Sequence, residues 1–505
     1  MKQAKNKFKQ AKFNSVYHFE GEVVIDSDLA LRELYSSYLT KVQDAGDGLK
    51  PKLTLVFCPE KDLQIKSTST QSAVAAEEVQ EHDPKKVQIK ICAKETLVEE
   101  EAIKQLHAAA RLPGCTHAFG MPDLHPGKGI PIGASIVTKG MVYPELVDYD
   151  IGCGMSFIRT GLQASKMNGK KLEQLSQTLI SIDCPWGKNV EQYDQFFSKT
   201  IRWAGNDVEP LDSSKLERKH LQVLGTIGGG NHFAEFQEIE EVLDPSTFEK
   251  MNLDLNEVCL LVHSGSRSLG ESVLGAYLDS QKGSTSSCKG VSDDSVDFNN
   301  YLQGHNLALN FARRNRFLIA HRILEQIDSR KVTTDQEYAI KDSDCLIDIF
   351  HNFMEKVDLE LEDGKIQPSW IHRKGATPST HSNILVIPGS RGSHSYVVKV
   401  IEENVYQSGL SLAHGAGRKM ARSKAYAIVK DQNPNPHSLL KTEFDSLVVC
   451  ENKTLIYEEA PIAYKNIDLV VKDLIDLGLV TPVARLKPLL TYKFKEPGFG
   501  HKIEE

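Results

Sequence analysis

The chain has nine cysteines, an odd number scattered through 505 residues without one CxxC pair. That argues against a disulfide framework and for a reducing compartment. It also lacks any apolar run near the ~20 residues that span a bilayer, so no membrane partner is expected. Positive charge is not in excess: the formal net charge is -8. A bulk electrostatic grip on nucleic acid is thereby excluded, and any phosphate binding must be local. The start, MKQAKNKFKQAKF, has lysines but no arginine and no apolar segment behind it, unlike a transit or signal peptide. The expectation is a cytoplasmic protein, with the nucleus as alternative. The common nucleotide signatures, GxxxxGK[ST] and strand-GxGxxG-helix, are missing, and there is no internal repeat.

What is present is a long chain of ordinary globular composition. Residues 1–66 read as a small α/β unit: strand-like 15–25, a helix over 28–43 capped by Asp26 or Ser27, and strand-like 52–58. Residues 67–85 are polar and low in complexity, which predicts a linker. Residues 86–505 form the main domain. Its periodicities predict a strand over 86–92 and helices over 96–112, 301–327 and 467–478, and polar inserts lie at 183–195 and 280–297. The mixture predicts an α+β fold.

Six stretches set a histidine, cysteine or aspartate beside glycine, where backbone can approach a ligand closely. They are MPDLHPGKG (Asp123, His125, Lys128), VDYDIGCGM (Asp148, Asp150, Cys153), GGGNHFAEF (Asn231, His232, Glu235), LVHSGSRSLG (His263, Arg267), IFHNF (His351, Asn352) and SLAHGAGRKMARSKA. Thiolate, imidazole and carboxylate together suit zinc or manganese better than calcium or magnesium, and a set richer than four ligands leaves room for two ions. His18, His82, His107, His220, His321, His437 and His501 lack such company and are read as structural. Arg373, Lys374, Ser390, Arg391, Ser395, Arg418, Arg422 and Lys424 supply phosphate-binding chemistry. In the last stretch a glycine loop is expected to run directly into a helix, with His414 facing a phosphate held there.

The ordered motifs MPDLHPGKG, DIGCGM, GNHF-x-E, HSGSR-x-x-G, RKGA, PGS-x-G, HGAGR-x-M-x-R-x-K-A and AYK-x-ID resemble the RtcB RNA ligases over about residues 87 to 495. The spelling ARLPGCTHAFGMPDLHPGKGIPIGA is most similar to the branch found beside release factor H. The resemblance implies an RtcB-like fold of mixed sheets flanked by helices around a central metal site. It implies an enzyme dependent on GTP and manganese, with two manganese ions per subunit. Such an enzyme joins RNA ending in 2′,3′-cyclic phosphate or 3′-phosphate to 5′-hydroxyl ends, in RNA repair or tRNA splicing, with an activating protein as a further partner. His414 would be the nucleophile that carries GMP, and Asp123 the carboxylate that orients it. Asp150, Cys153, His232, His263 and His351 would hold metal, with Cys153 bridging. Asn231 and Arg418 would touch phosphate. Phe233 and Tyr464 would flank the base; Glu235, Ser390, Ser395 and Lys493 would contact guanine and ribose. His351, His414, Gly415, Ala416 and Gly417 complete the nucleotide-binding set.

The chain departs from the family pattern in places. VDYDIGCG stands for V-G-V-D-I-G-C-G, which puts Asp148 and Tyr149 near the ligands; alanine precedes His414 where many members have serine; and Lys495 competes with Lys493. Two other readings stay open at this point. One is a metal-dependent phosphoesterase that stops after opening cyclic phosphates, and the other is an RNA-binding relative without turnover.

Overall fold

The computed structural model describes residues 16–18, 55–57, 87–179, 181–187, 189–282, 288–327, 338–360 and 366–496. The chain divides into two compact units, Met1–Gln80 and Glu81–Glu505. In the first, Val16–His18 pairs antiparallel with Leu55–Phe57. The helix expected over 28–43 and the linker expected over 67–85 lie outside the described residues.

The second unit is built on an eight-stranded sheet. Its order runs Cys345–Phe350, Gly154–Gln163, Glu257–Ser264, Phe233–Val242, Val480–Phe494, Ser395–Val400 and Ile384–Pro388, and Leu447–Cys450 adds in parallel to Val480–Phe494. Glu257–Ser264 (EVCLLVHS) is buried along its whole length, as an apolar run without alternation requires. Val258, Leu260 and Val262 join one core, with Phe311 and Phe317 of the helix Val296–Ile327. Cys259 and Leu261 join another, with Ile347, Val386 and Val397.

A five-stranded sheet follows the order Asn352–Glu360, Ile366–Lys374, Pro131–Thr138, Cys115–Pro126 and Gln88–Ile91, with the helix Glu100–Ala110 beside it. The α+β expectation and the helices at 100–110, 296–327 and 467–476 agree with the sequence reading. The polar insert at 183–195 contains the start of a helix, Val190–Phe197.

One expectation is corrected. Arg422–Gln432 is helical, but Arg418–Ala421 separates it from Gly417. Arg418 forms a β-bridge to Tyr464 and the Lys419 N–H donates to the Ala463 carbonyl, so this backbone is pinned across the cavity instead of coiling.

Candidate active site

Antiparallel pairing gathers the ligand-type residues on one sheet edge. Cys153 and His232 immediately precede two strands, while His263 and His351 lie at the ends of two neighbours, in register as Gly154↔Ser264, Phe233↔His263 and Phe350↔Gly154. The Cys153 Sγ lies 3.2 Å from Nε2 of His232 and 3.2 Å from Nε2 of His263. Asp150 Oδ2 is 2.8 Å from His232 Nε2, and His263 Nε2 is 3.2 Å from His351 Nε2. The sulfur thus sits between His232 and His263, the three ligand atoms all within 4.8 Å of one another, with Asp150 against His232 and His351 against His263.

These residues fit a metal. The Ile227 carbonyl accepts from Nδ1 of His232 at 3.1 Å, which leaves Nε2 as the nitrogen facing Asp150 and Cys153. Burial, then neighbouring imidazoles, hold His263 and His351 well below the usual histidine range, so both are neutral lone-pair donors. Burial, then Asp150, pushes the Cys153 thiol well above its ordinary range. Burial would raise the Asp150 carboxyl too, but His232 beside it keeps it low. Sulfur, carboxylate and imidazole nitrogens brought together in this way suit a cation, and a bound cation would make the thiol a thiolate.

His414 stands where Ser411–Ala413 ends after pairing with Ala376–Pro378. Its Nδ1 is 2.6 Å from Asp123 Oδ2, which also accepts the His414 backbone N–H at 3.2 Å. The rings of His414 and His351 are 4.7 Å apart, so the imidazole abuts the ligand cluster. Gly417 has a φ of 69°, and a Cβ there would come within 2.3 Å of the Asp123 carbonyl. Only glycine lets the loop close on Asp123. Lys465 braces the same point: Nζ donates to the Leu124 carbonyl at 2.5 Å, and its backbone N–H donates to Gly417. Buried Ala413 lies in the core, and the serine two residues earlier, Ser411, accepts from Arg373 at 2.9 Å.

These groups open on one cavity of about 930 Å³, also lined by Asn231, Phe233, Glu235, Ser390, Gly415, Ala416, Gly417, Arg418, Tyr464 and Lys493. Asp123, His232 and Ser395 stand behind the wall instead. Ser395 Oγ accepts from Gln237 at 2.8 Å, and Gln237 donates to Glu235 at 2.7 Å. Burial lifts the Glu235 carboxyl to about 7, against the lowering by Thr491 and Gln237. Lys493 is buried and lines the cavity, whereas the Lys495 ammonium donates to the carbonyls of Leu179 and Ser176. The loop is less of an N–H cradle than expected, because the Ala416 N–H donates to Pro388 at 3.0 Å. Arg373 is likewise no phosphate ligand: fully buried, it donates to Glu355, Ser411 and the Leu410 carbonyl.

Several important residues escaped sequence reasoning. Glu459 gathers Arg418 at 2.9 Å, Arg422 at 3.4 Å, Lys493 at 3.7 Å and the Tyr464 hydroxyl. Burial opposes its charge, but Lys493 and Arg418 outweigh that and hold it at about 2. Arg316, fully buried, pairs both oxygens of Asp348 at 2.7 and 2.9 Å and donates to the carbonyls of Gly152 and Ser264, beside Cys153 and His263. Asn315 accepts the Gly225 N–H and donates to the Ser264 hydroxyl and the Gly265 carbonyl. The signal was there in FARRNRFLIA, four polar residues in a row inside an apolar helix.

A family model described as tRNA-splicing ligase RtcB matches residues 105–494, a span that contains every site residue named above. The chain belongs to the RtcB family. It is 39% identical over 405 residues to RNA-splicing ligase RtcB2 of Escherichia coli, covering 80% of this chain and 94% of that one. Against tRNA-splicing ligase RtcB of Aeropyrum pernix the identity is 30% over 451 residues, 78% of this chain and 92% of the relative. Against that of Methanococcus maripaludis it is 28% over 446 residues, with 78% and 91% covered. RtcB proteins are RNA ligases, and the matched span begins within the helix Glu100–Ala110 and ends with the last strand. Among the described residues no helix is long and apolar enough to cross a membrane.

Proposed function

We propose that this RtcB protein joins RNA ends carrying 2′,3′-cyclic phosphate or 3′-phosphate to 5′-hydroxyl ends, using GTP and a covalent GMP on His414. The observation that carries the reading is the Asp123–His414 couple, 2.6 Å apart, set against His351 of the ligand cluster in one cavity with Glu235 and Lys493.

With Nδ1–H donated to Asp123, the His414 Nε2 keeps its lone pair for attack on the α-phosphorus of GTP. The N–P bond forms as the bond to the bridging oxygen breaks, and pyrophosphate leaves with the electron pair. Asp123 offsets the positive charge that develops on the ring. An RNA 3′-phosphate, freed where necessary by water opening the cyclic ester, then attacks that phosphorus and breaks the N–P bond. A 5′-hydroxyl then loses its proton and attacks the RNA-side phosphorus of the resulting anhydride; the new phosphodiester forms as the bond to the bridging oxygen breaks and GMP leaves with the electron pair. Phe233 and Tyr464 would flank the base, and Glu235, backed by Gln237, Ser395 and Thr491, would accept from it. Asp150, Cys153, His232, His263 and His351 would hold manganese, which when bound supplies positive charge opposite the reacting phosphates.

Incubation with manganese and α-labelled GTP tests this. The expected result is an acid-labile label on the protein, lost in His414→Ala and kept in His437→Ala, which alters an exposed histidine. Folded, metal-loaded protein that takes no label but opens cyclic phosphates would instead be a phosphoesterase.

A further inference from the structure

Asp148 and Lys374 have no part in the steps above, yet they form an ion pair on the cavity wall. The Lys374 side chain is 7% exposed and that of Asp148 32%. Asn352 ties the two segments together. Its Nδ2 donates to the Asp150 carbonyl at 3.2 Å, and its Oδ1 accepts the Gly375 N–H at 2.8 Å. A Cβ on Gly375 would lie 3.0 Å from His414 Cε1, so this corner abuts the proposed nucleophile. Asp148 itself has a φ of 68°, a left-handed conformation that glycine adopts most freely and that aspartate tolerates at a modest cost.

We propose that Lys374 is a phosphate-binding cation and that Asp148 is a built-in competing anion, which a terminal phosphate of the substrate must displace. One nearly buried ammonium faces one carboxylate, with the Lys128 cation close enough to bear on Lys374 as well. A phosphate that reaches Lys374 either breaks that pair or lies against a like charge. Asp148 thus weakens retention of any phosphate group at this corner, favouring release as well as limiting capture. The inference rests on the RNA-end reading for the identity of the phosphate, but its test requires no turnover.

The test is binding to the manganese-loaded protein, without GTP, of two oligoribonucleotides that differ only in a 3′-phosphate or a 3′-hydroxyl. Asp148→Asn should tighten the 3′-phosphate strand about tenfold and leave the 3′-hydroxyl strand unchanged. Lys374→Met should weaken the 3′-phosphate strand and abolish the effect of Asp148→Asn in the double variant. Asp148→Gly, which suits the backbone, should act like Asp148→Asn and separates lost charge from misfolding. Weaker binding in Asp148→Asn would mean that Asp148 only positions Lys374, and would overturn the proposal. So would an equal change for both strands, or no effect of Lys374→Met. Absence of GTP labelling at His414 would sink the ligation chemistry and leave these binding ratios standing.

Discussion

Replacing Asp123 by asparagine is expected to slow GMP labelling of His414 about a thousandfold. The carboxylate is fully buried, and one of its oxygens holds both Nδ1 and the backbone N–H of His414, at 2.6 and 3.2 Å. While the N–P bond forms the ring becomes cationic, with charges about 4 Å apart. At an effective dielectric of about 20 that attraction is about 4 kcal/mol. At about 1.4 kcal/mol per tenfold this corresponds to roughly a factor of 10³ in rate. Asparagine keeps the shape but removes the charge, and its amide can donate to Nδ1, which moves the ring proton to Nε2 and blocks attack. The measurement is the initial rate of acid-labile labelling from α-labelled GTP at saturating manganese and nucleotide, with a thermal midpoint to verify folding. A folded variant labelling within about threefold of the parent would refute the argument, since His414 would then not need the carboxylate.

Glu235 should make stability depend on pH. Its carboxyl lies at about 7 in the folded protein against an ordinary 4.5, so the folded state binds the extra proton. Stability from this group is full below about 4.5 and is lost as pH rises through about 7, by about 3 kcal/mol; Glu235→Gln should flatten the thermal midpoint between about pH 5 and 8. Manganese should raise the thermal midpoint by a few degrees when present at about a hundred times its dissociation constant, and Cys153→Ala, which removes the shared sulfur, should abolish that rise. Arg316→Met leaves Asp348 buried without its bidentate partner and frees the carbonyls of Gly152 and Ser264, so the denaturation free energy should fall by about 3–5 kcal/mol. A loss under about 1 kcal/mol would show that Arg313, 3.3 Å from Asp348, suffices.

The candidate ligand residues that the fold brings together were legible as a group because they stand near glycine or at the end of an apolar strand run, where period and composition change together. The long helix was legible from its length. What the sequence did not reveal depends on partners far along the chain. Arg418–Ala421 has helical propensity, yet a bridge to Tyr464 and a bond to Ala463 decide its conformation. Glu459 looks like any surface acid at the end of a short helix until Arg418, Arg422 and Lys493 converge on it. Arg373 and Lys374 are neighbours in one strand, so their side chains leave on opposite faces. One enters the core toward Glu355 and Ser411, the other the cavity, and only the pairing of Asn352 with Lys374 says which.

That opposition bears on how an acidic chain could handle RNA. Lys374, Arg418 and Lys493 would form a strong positive field if left alone, but Asp148 and Glu459 partner them within the same cavity. Such pairing spares the folded protein the cost of several like charges in a largely buried space. A phosphate that reaches Lys374, Arg418 or Lys493 would exchange contacts with groups already engaged. Proteins that hold nucleic acid through many exposed lysines draw affinity from counterion release and bind strands generally. With a net charge of -8, the proposed recognition of an RNA end, the part of the strand that can enter a cavity, is the reading that needs no such general grip.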